Sequence, residues 1–192
     1  MKSTRMIRFG VIAAILLLIA VIGVTSVKEH KHLVGLQKKV DSSWNELAGQ
    51  YQHRGQVISD LAQRLAAEPG FDQTLLTQLS QARDTVNAIT LNPNQAPTDA
   101  TQFQKYVQAQ DALNKALSQV LRATLKSPAL MADQKFRAVQ SEMLESENRL
   151  AIKQNRFDQD VQGYNAKVHH FPVAIEAFVL GFKSRPSFQT SR

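Results

Sequence analysis

Apolar residues return every three or four positions along most of this chain, and that repeat constrains the fold more than any other feature. Leu33, Leu36, Val40, Trp44, Leu47, Tyr51, Arg54, Ile58, Leu61 and Leu65 follow one another at steps of 3 or 4, the spacing of side chains along one face of an α-helix. The spacing predicts a long first helix, ended by Glu68-Pro69-Gly70, where a residue that cannot continue a helix meets one suited to a left-handed exit. Leu75, Leu79, Ala82, Val86 and Ile89 predict a second helix that starts near Asp72, a side chain suited to an N-cap. Asn92-Pro93-Asn94-Gln95-Ala96-Pro97 reads as a loop. A third helix opens at Thr98 or Asp99 and carries Phe103, Tyr106, Gln110, Leu113, Leu117 and Val120, with Leu121 and Leu125 widening the stripe. It stops before Ser127-Pro128. The fourth and longest runs from about Ala132 to His169, with Phe136, Val139, Met143, Glu147, Leu150, Gln154, Phe157, Val161, Tyr164 and Val168 on its stripe. Phe171-Pro172 breaks it.

Short connections between such helices favour antiparallel neighbours. The expected fold is therefore all-α, an antiparallel four-helix bundle with long helices over residues 28–170. Composition agrees, since aromatic residues make up only 7% and Gly and Pro number 8 and 6, against a sheet protein.

Ahead of the bundle, residues 9–27 read FGVIAAILLLIAVIGVTSV, 19 residues without a charge. As a helix they span about 28 Å, close to the hydrocarbon thickness of a bilayer, and the reading is a single transmembrane helix after a basic tail, residues 1–8. A cleaved signal peptide is the competing reading, with Val24-Thr25-Ser26 as its cleavage site. A retained anchor is preferred because helical periodicity resumes at Leu33 without a linker. Lys2, Arg5 and Arg8 face Lys28, Lys31, Lys38 and Lys39 across the segment, so the positive-inside rule is nearly balanced. Arg8 abuts the apolar run and the free amine adds charge there, which favours the N-terminus inside and the bundle outside.

The last apolar stretch, Phe171 to Phe182 within the C-terminal residues 171–192, is 12 residues long, too short to span. It either lies in the membrane interface, with Phe171, Phe178 and Phe182 as contacts, or folds back as a fifth packed helix, the preferred expectation for the end of a soluble domain. The chain carries a net charge of +7, of which Lys2, Arg5 and Arg8 contribute three, leaving +4 on the remainder. So mild a balance fits a surface near anionic headgroups and excludes a nucleic-acid binder. With no Cys in the sequence, disulfides, thiol catalysis and thiolate metal sites are excluded.

Three stretches together resemble the LemA family of bacterial membrane proteins. The first is His32-Leu-Val-x-Leu36 followed by Val40-Asp41-x-x-Trp44. The second is Gln134-x-Phe136 leading to Glu145-x-Glu147-Asn148-Arg149-Leu150-Ala151. The third is Phe157-x-x-x-Val161-x-x-Tyr164-Asn165-x-Lys167, then Phe171-Pro172, Gly181-Phe182, Pro186 and Phe188. Helix 1 departs from the family, having His53-Arg54 where two adjacent Arg are common and Ile58-Ser59-Asp60 where an Ile-Pro-Asn is common, which implies a straighter helix. The resemblance implies a single-pass protein with a helical bundle and brings no known reaction.

Arg54 and Glu147 occupy stripe positions that should be apolar, so each would be a costly buried charge unless paired. They are expected to meet, and a register-fixing ion pair is preferred over a binding site. Trp44, Tyr51 and Tyr164 are expected core aromatics. His30 and His32, and His169 and His170, are spaced so that their rings diverge, which argues against a metal. No HExxH, GxSxG, Walker or GxGxxG pattern occurs. The reading is a non-enzymatic interaction or scaffold protein of the bacterial inner membrane, without cofactor, its bundle on the periplasmic side. Its partners would be the lipid bilayer, other membrane or envelope proteins, or a second copy, and not nucleic acid. The alternative is an accessory subunit or sensor that binds a small amphiphilic ligand within the bundle, in a pocket lined by Trp44, Tyr51 and Tyr164.

Overall fold

The apolar repeat does fold as helix. The computed structural model describes the backbone of residues 2–171 and 173–189, and side chains from residue 30 onward, Glu176 excepted. Within these residues the chain is all-α: α1 Lys2–Ala66, α2 Gln73–Asn87, α3 Ala100–Thr124, α4 Pro128–Ala132, α5 Gln134–His169 and α6 Val173–Leu180. The apolar stretch 9–27 belongs to the backbone of α1; its side chains, like those of the basic residues 1–8, lie outside those described. Among the described residues no helix is long and apolar enough to cross a membrane.

Helix boundaries follow local chemistry. Gly70, at φ +80°, makes the left-handed turn after α1 that a Cβ would disfavour. Asp72 caps α2 by accepting from Thr74 N, and Asp99 caps α3 by accepting from Thr101 N and Gln102 N. Two expectations need correction here. Leu125, expected to widen the α3 stripe, is the C-cap of that helix and is 64% exposed, because the stripe ends where the backbone leaves the helix. Ser127-Pro128, expected only as a stop, also starts α4: Ser127 caps it, Pro128 sits in its first turn and Leu130 is buried. Proline lacks the N–H that a first turn leaves unpaired anyway, so it opens a helix as readily as it forbids continuing one. Asp133 then ends α4 and caps α5, so the long helix starts slightly later than expected.

Ion pairs give the directions. Lys39 with Asp160 (2.7 Å), Glu46 with Lys153 (2.7 Å), Arg54 with Glu147 and Arg64 with Asp133 (3.1 Å) join rising positions on α1 to falling positions on α5, so the two run antiparallel. Helix α2 also opposes α1, since Trp44 Nε1 donates to Asn92 O at 2.8 Å and Arg83 Nη1 to Ser59 Oγ at 3.0 Å. Helix α3 follows α1, with Trp44 on Phe103 and Arg54 on Gln110 and Asn114. The result is a helical bundle.

Its core has two parts. One gathers Leu33, Val40, Trp44 and Leu47 of α1 with Phe103, Phe157 and Tyr164; the other gathers Ile58, Leu61 and Leu65 with Leu79, Leu117, Val120, Phe136 and Met143. The first part is closed by a segment that the stripe pattern did not place. After α6 and a left-handed turn at Gly181 (φ +76°), residues 182–189 cross back over the bundle. Asn165 clamps them, its Nδ2 donating to Arg185 O and its Oδ1 accepting from Arg185 N, both at 2.8 Å. Asp158 Oδ1 accepts from Phe188 N at 2.9 Å. Phe188 is thereby only 3% exposed and meets Phe103 edge-on at 4.9 Å, a favoured aromatic geometry.

Helix α6 buries Val173 and Ala177 against the bundle, whereas Phe171 is 73% and Phe178 87% exposed. Phe182 turns inward, half-buried against the core, with its ring centroid 5.9 Å from that of His30.

The clamp makes Phe188 a core residue, so Phe188→Ala should lower unfolding free energy by about 3 kcal/mol. Phe178→Ala should change it by less than about 0.5 kcal/mol. Urea unfolding of the full chain in mild detergent, followed by circular dichroism, distinguishes the two.

Candidate functional site

The boundary between the two core parts is polar. Arg54 of α1 is 2% exposed, and all three of its nitrogens donate: Nε to Glu147 Oε1 of α5 at 2.5 Å, Nη1 to Gln110 Oε1 at 3.2 Å and Nη2 to Asn114 Oδ1 of α3 at 2.5 Å. Gln110 Nε2 donates in turn to Tyr106 OH at 2.9 Å. A buried guanidinium is tolerated only where charge and fork-shaped hydrogen bonding are both met, and three helices combine to meet them. The Glu147 side chain remains 39% exposed, so the pair reaches solvent from one side.

A cavity of about 160 Å³ lies beside this pair, lined by Tyr51, Arg54, Gln110, Asn114, Glu147 and Gln154 among others. Its charges already neutralise each other and each Arg54 nitrogen is taken by the protein. Chemically the arrangement joins α1, α3 and α5 through one charge pair and two amide hydrogen bonds.

Burial pushes the Tyr106 phenol far above its ordinary value of 10.0, against the pull of the Gln110 hydrogen bond and the Arg54 charge. Tyr164 is raised too, again by burial first, with the charge and hydrogen bond of Arg185 opposing and Asp41 assisting. On the outer side, the Lys153 hydrogen bond holds the Glu46 carboxyl below its ordinary value despite burial.

The aromatic trio shares one core cluster, as expected, but not one groove. Trp44 is 2% exposed and Tyr164 1%, while Tyr51 is half-buried, edge-on to Tyr106 at 5.5 Å. Trp44 and Tyr51 line a groove of about 280 Å³ with Ala48, Val86, Ile89 and Leu91. Tyr164, in the same core cluster, does not line that groove; it is in contact with the buried Arg185, whose Nη1 donates to Ala96 O at 2.6 Å. His169 Nε2 is 2.7 Å from Ser184 Oγ, and among the described residues no group of three His, Cys, Asp or Glu could hold a metal ion.

Sequence reasoning missed Asn114, and it left Gln110 on the stripe without a partner. The available signal was the five donors of arginine, which one carboxylate cannot satisfy. Arg185 was missed because it lies in a non-periodic segment.

A family model described as the LemA family matches residues 43–192, well over half of the chain. No curated protein matches it.

Burial sets an asymmetry between the two charges. Glu147→Leu strands a buried cation and should cost about 3 kcal/mol of stability, whereas Arg54→Met leaves a carboxylate that can hydrate and should cost less. The double variant should recover most of the Glu147→Leu loss; urea midpoints of the three variants test this. The tyrosines set a second expectation. A phenol raised in the folded chain stabilises fully below the unfolded value near 10.0, and that stability is lost as pH climbs from there toward the folded value. Absorbance at the tyrosinate band should therefore rise with incomplete amplitude in the folded chain and complete itself only on alkaline unfolding.

Proposed function

The chain belongs to the LemA family, and from that premise we propose that it is a membrane-tethered, non-enzymatic interaction module of the bacterial cell envelope. In this reading residues 9–27 cross the inner membrane once, and the antiparallel four-helix bundle stands on the periplasmic side. The observation that carries it is the continuity of α1, one helix of 65 residues from Lys2 to Ala66, about 98 Å long. An uncharged stretch of bilayer length thus passes without a joint into the central helix of a bundle. A bundle on such a stalk is held at a set height and tilt above the bilayer, which suits a scaffold.

The outer face of α5 offers a contact surface, with Leu144 63% and Ile152 67% exposed two turns apart. Envelope proteins or a second copy would dock there, and the reading involves no cofactor and no nucleic acid. The second reading, a sensor of a small amphiphile, draws support from the groove beside Trp44 and Tyr51. That groove, at about 280 Å³, falls just below the range of most ligand pockets and lacks Tyr164, so it ranks second.

A photo-crosslinking residue placed at Leu144 or Ile152 of the full chain in native membranes should yield the same discrete protein adduct at both positions. A phosphatase fused after residue 192 should be active. Adducts to lipid alone, or none, would count against the scaffold; an inactive phosphatase would put the bundle on the other side.

A further inference from the structure

Of the nine large hydrophobic side chains exposed among the described residues, five fall within residues 171–180: Phe171, Ile175, Phe178, Val179 and Leu180. Val173 and Ala177, one turn apart, fasten α6 to the bundle; helical spacing puts Ile175, Phe178 and Val179 on the opposite side, and Phe171, just before the helix, is exposed as well. Helix α6 therefore has two apolar faces, of which the bundle covers one.

We propose that the uncovered face of α6 beds into the headgroup region of an anionic bilayer, beside the point where α1 enters it. The inference rests on the tether reading and adds a second membrane contact to it. Placement is the first argument. Helix α6 packs against α1, and Phe182, just after α6, meets His30 edge-on. His30 follows Val27, the last residue of the uncharged stretch, by three positions, about 4.5 Å of helix rise. If 9–27 fills the hydrocarbon, α6 sits at the depth of the interface, into which such helices sink by about 5–10 Å.

Size and charge agree. Eight residues make a helix of about 12 Å, unable to span but able to lie flat. Lys31, His170 and Lys183 are exposed around it, and Lys28 and Lys167 are close in sequence, against Glu29 and Glu176 as the nearby acids. A basic rim around an apolar face is the pattern that anionic lipid surfaces attract. A second copy fits less well, because one face of a two-turn helix falls short of the roughly 800 Å² per partner of a stable interface.

The absence of Cys from the sequence makes the test direct. Single spin labels are attached to Phe178→Cys, Phe171→Cys, Leu18→Cys and Leu144→Cys variants of the full chain. Each is reconstituted at high dilution into phosphatidylcholine vesicles containing a minority of phosphatidylglycerol. The ratio of oxygen to nickel-chelate accessibility reports depth. Positions 171 and 178 should give a ratio severalfold above that of 144, with 18 higher still, and 178 should fall toward 144 in phosphatidylcholine alone. If 18 lies in hydrocarbon while 171 and 178 match 144, the inference is overturned and the tether stands. If 18 also matches 144, the tether reading fails and takes the inference with it. Dipolar broadening at 178 would overturn it in favour of a second copy, and a ratio at 178 unchanged without phosphatidylglycerol would overturn the part assigned to the basic rim.

Discussion

The burial of one guanidinium organises this bundle. Apolar stripes on long helices drive association strongly but specify register weakly, because sliding one helix by a turn replaces one Leu or Val with another at little cost. Arg54 removes that degeneracy. Its nitrogens find Glu147 on α5 and Gln110 and Asn114 on α3, and a slip of about 5.4 Å would drive the charge into one of the two apolar clusters. The stripe supplies the attraction, and the polar layer selects which of several nearly equal packings is the native one. Hydrogen bonding from Gln110 to Tyr106 extends the layer by one more group that dislikes displacement.

Closure of the other end depends on a different device. The first cluster is rich in rings, with Phe103 and Phe157 each meeting both Trp44 and Phe188, and its last member arrives from a segment outside any helix. Such a segment lacks the regular hydrogen-bond ladder of a helix, so its buried backbone polar groups need partners from elsewhere. Asn165 and Asp158 provide them. This explains why an acid sits on a buried part of α5: Asp158 is 6% exposed, and its carboxylate anchors the Phe188 amide.

These two devices also mark how far the sequence was legible. Periodicity located the four long helices, and the capping chemistry of Asp72 located one of their starts, because both signals are local; the third helix was placed at Thr98 or Asp99, and Asp99 is its cap. The polar layer was half legible: two charges in apolar stripe positions stand out, yet the amides that complete the set look like ordinary helix residues until Arg54 is known to face them. Beyond Phe182, at the end of the apolar stretch, residues 183–189 carried no periodic signal at all, and only the resemblance in Pro186 and Phe188 marked them. Helix α4 was hidden by a proline that could be read as either stop or start. Phe182 turned inward while Phe171 and Phe178 did not, a difference set by the turn at Gly181 rather than by composition.

The same geometry connects the two ends of the molecule. Because α1 is one helix from Lys2 to Ala66, the register chosen by Arg54 is transmitted along a single backbone to the apolar stretch, and the faces of the bundle inherit a fixed rotation relative to whatever holds that stretch. Helix α6 and the α2–α3 loop both sit near the point where α1 leaves the bundle, the loop through Trp44 and Asn45 and through the Asp41 carboxylate that accepts from Ala96 N. Arg185 ties the C-terminal segment to that loop. On the proposed membrane reading, the elements nearest the bilayer are therefore bonded to one another as well as to α1.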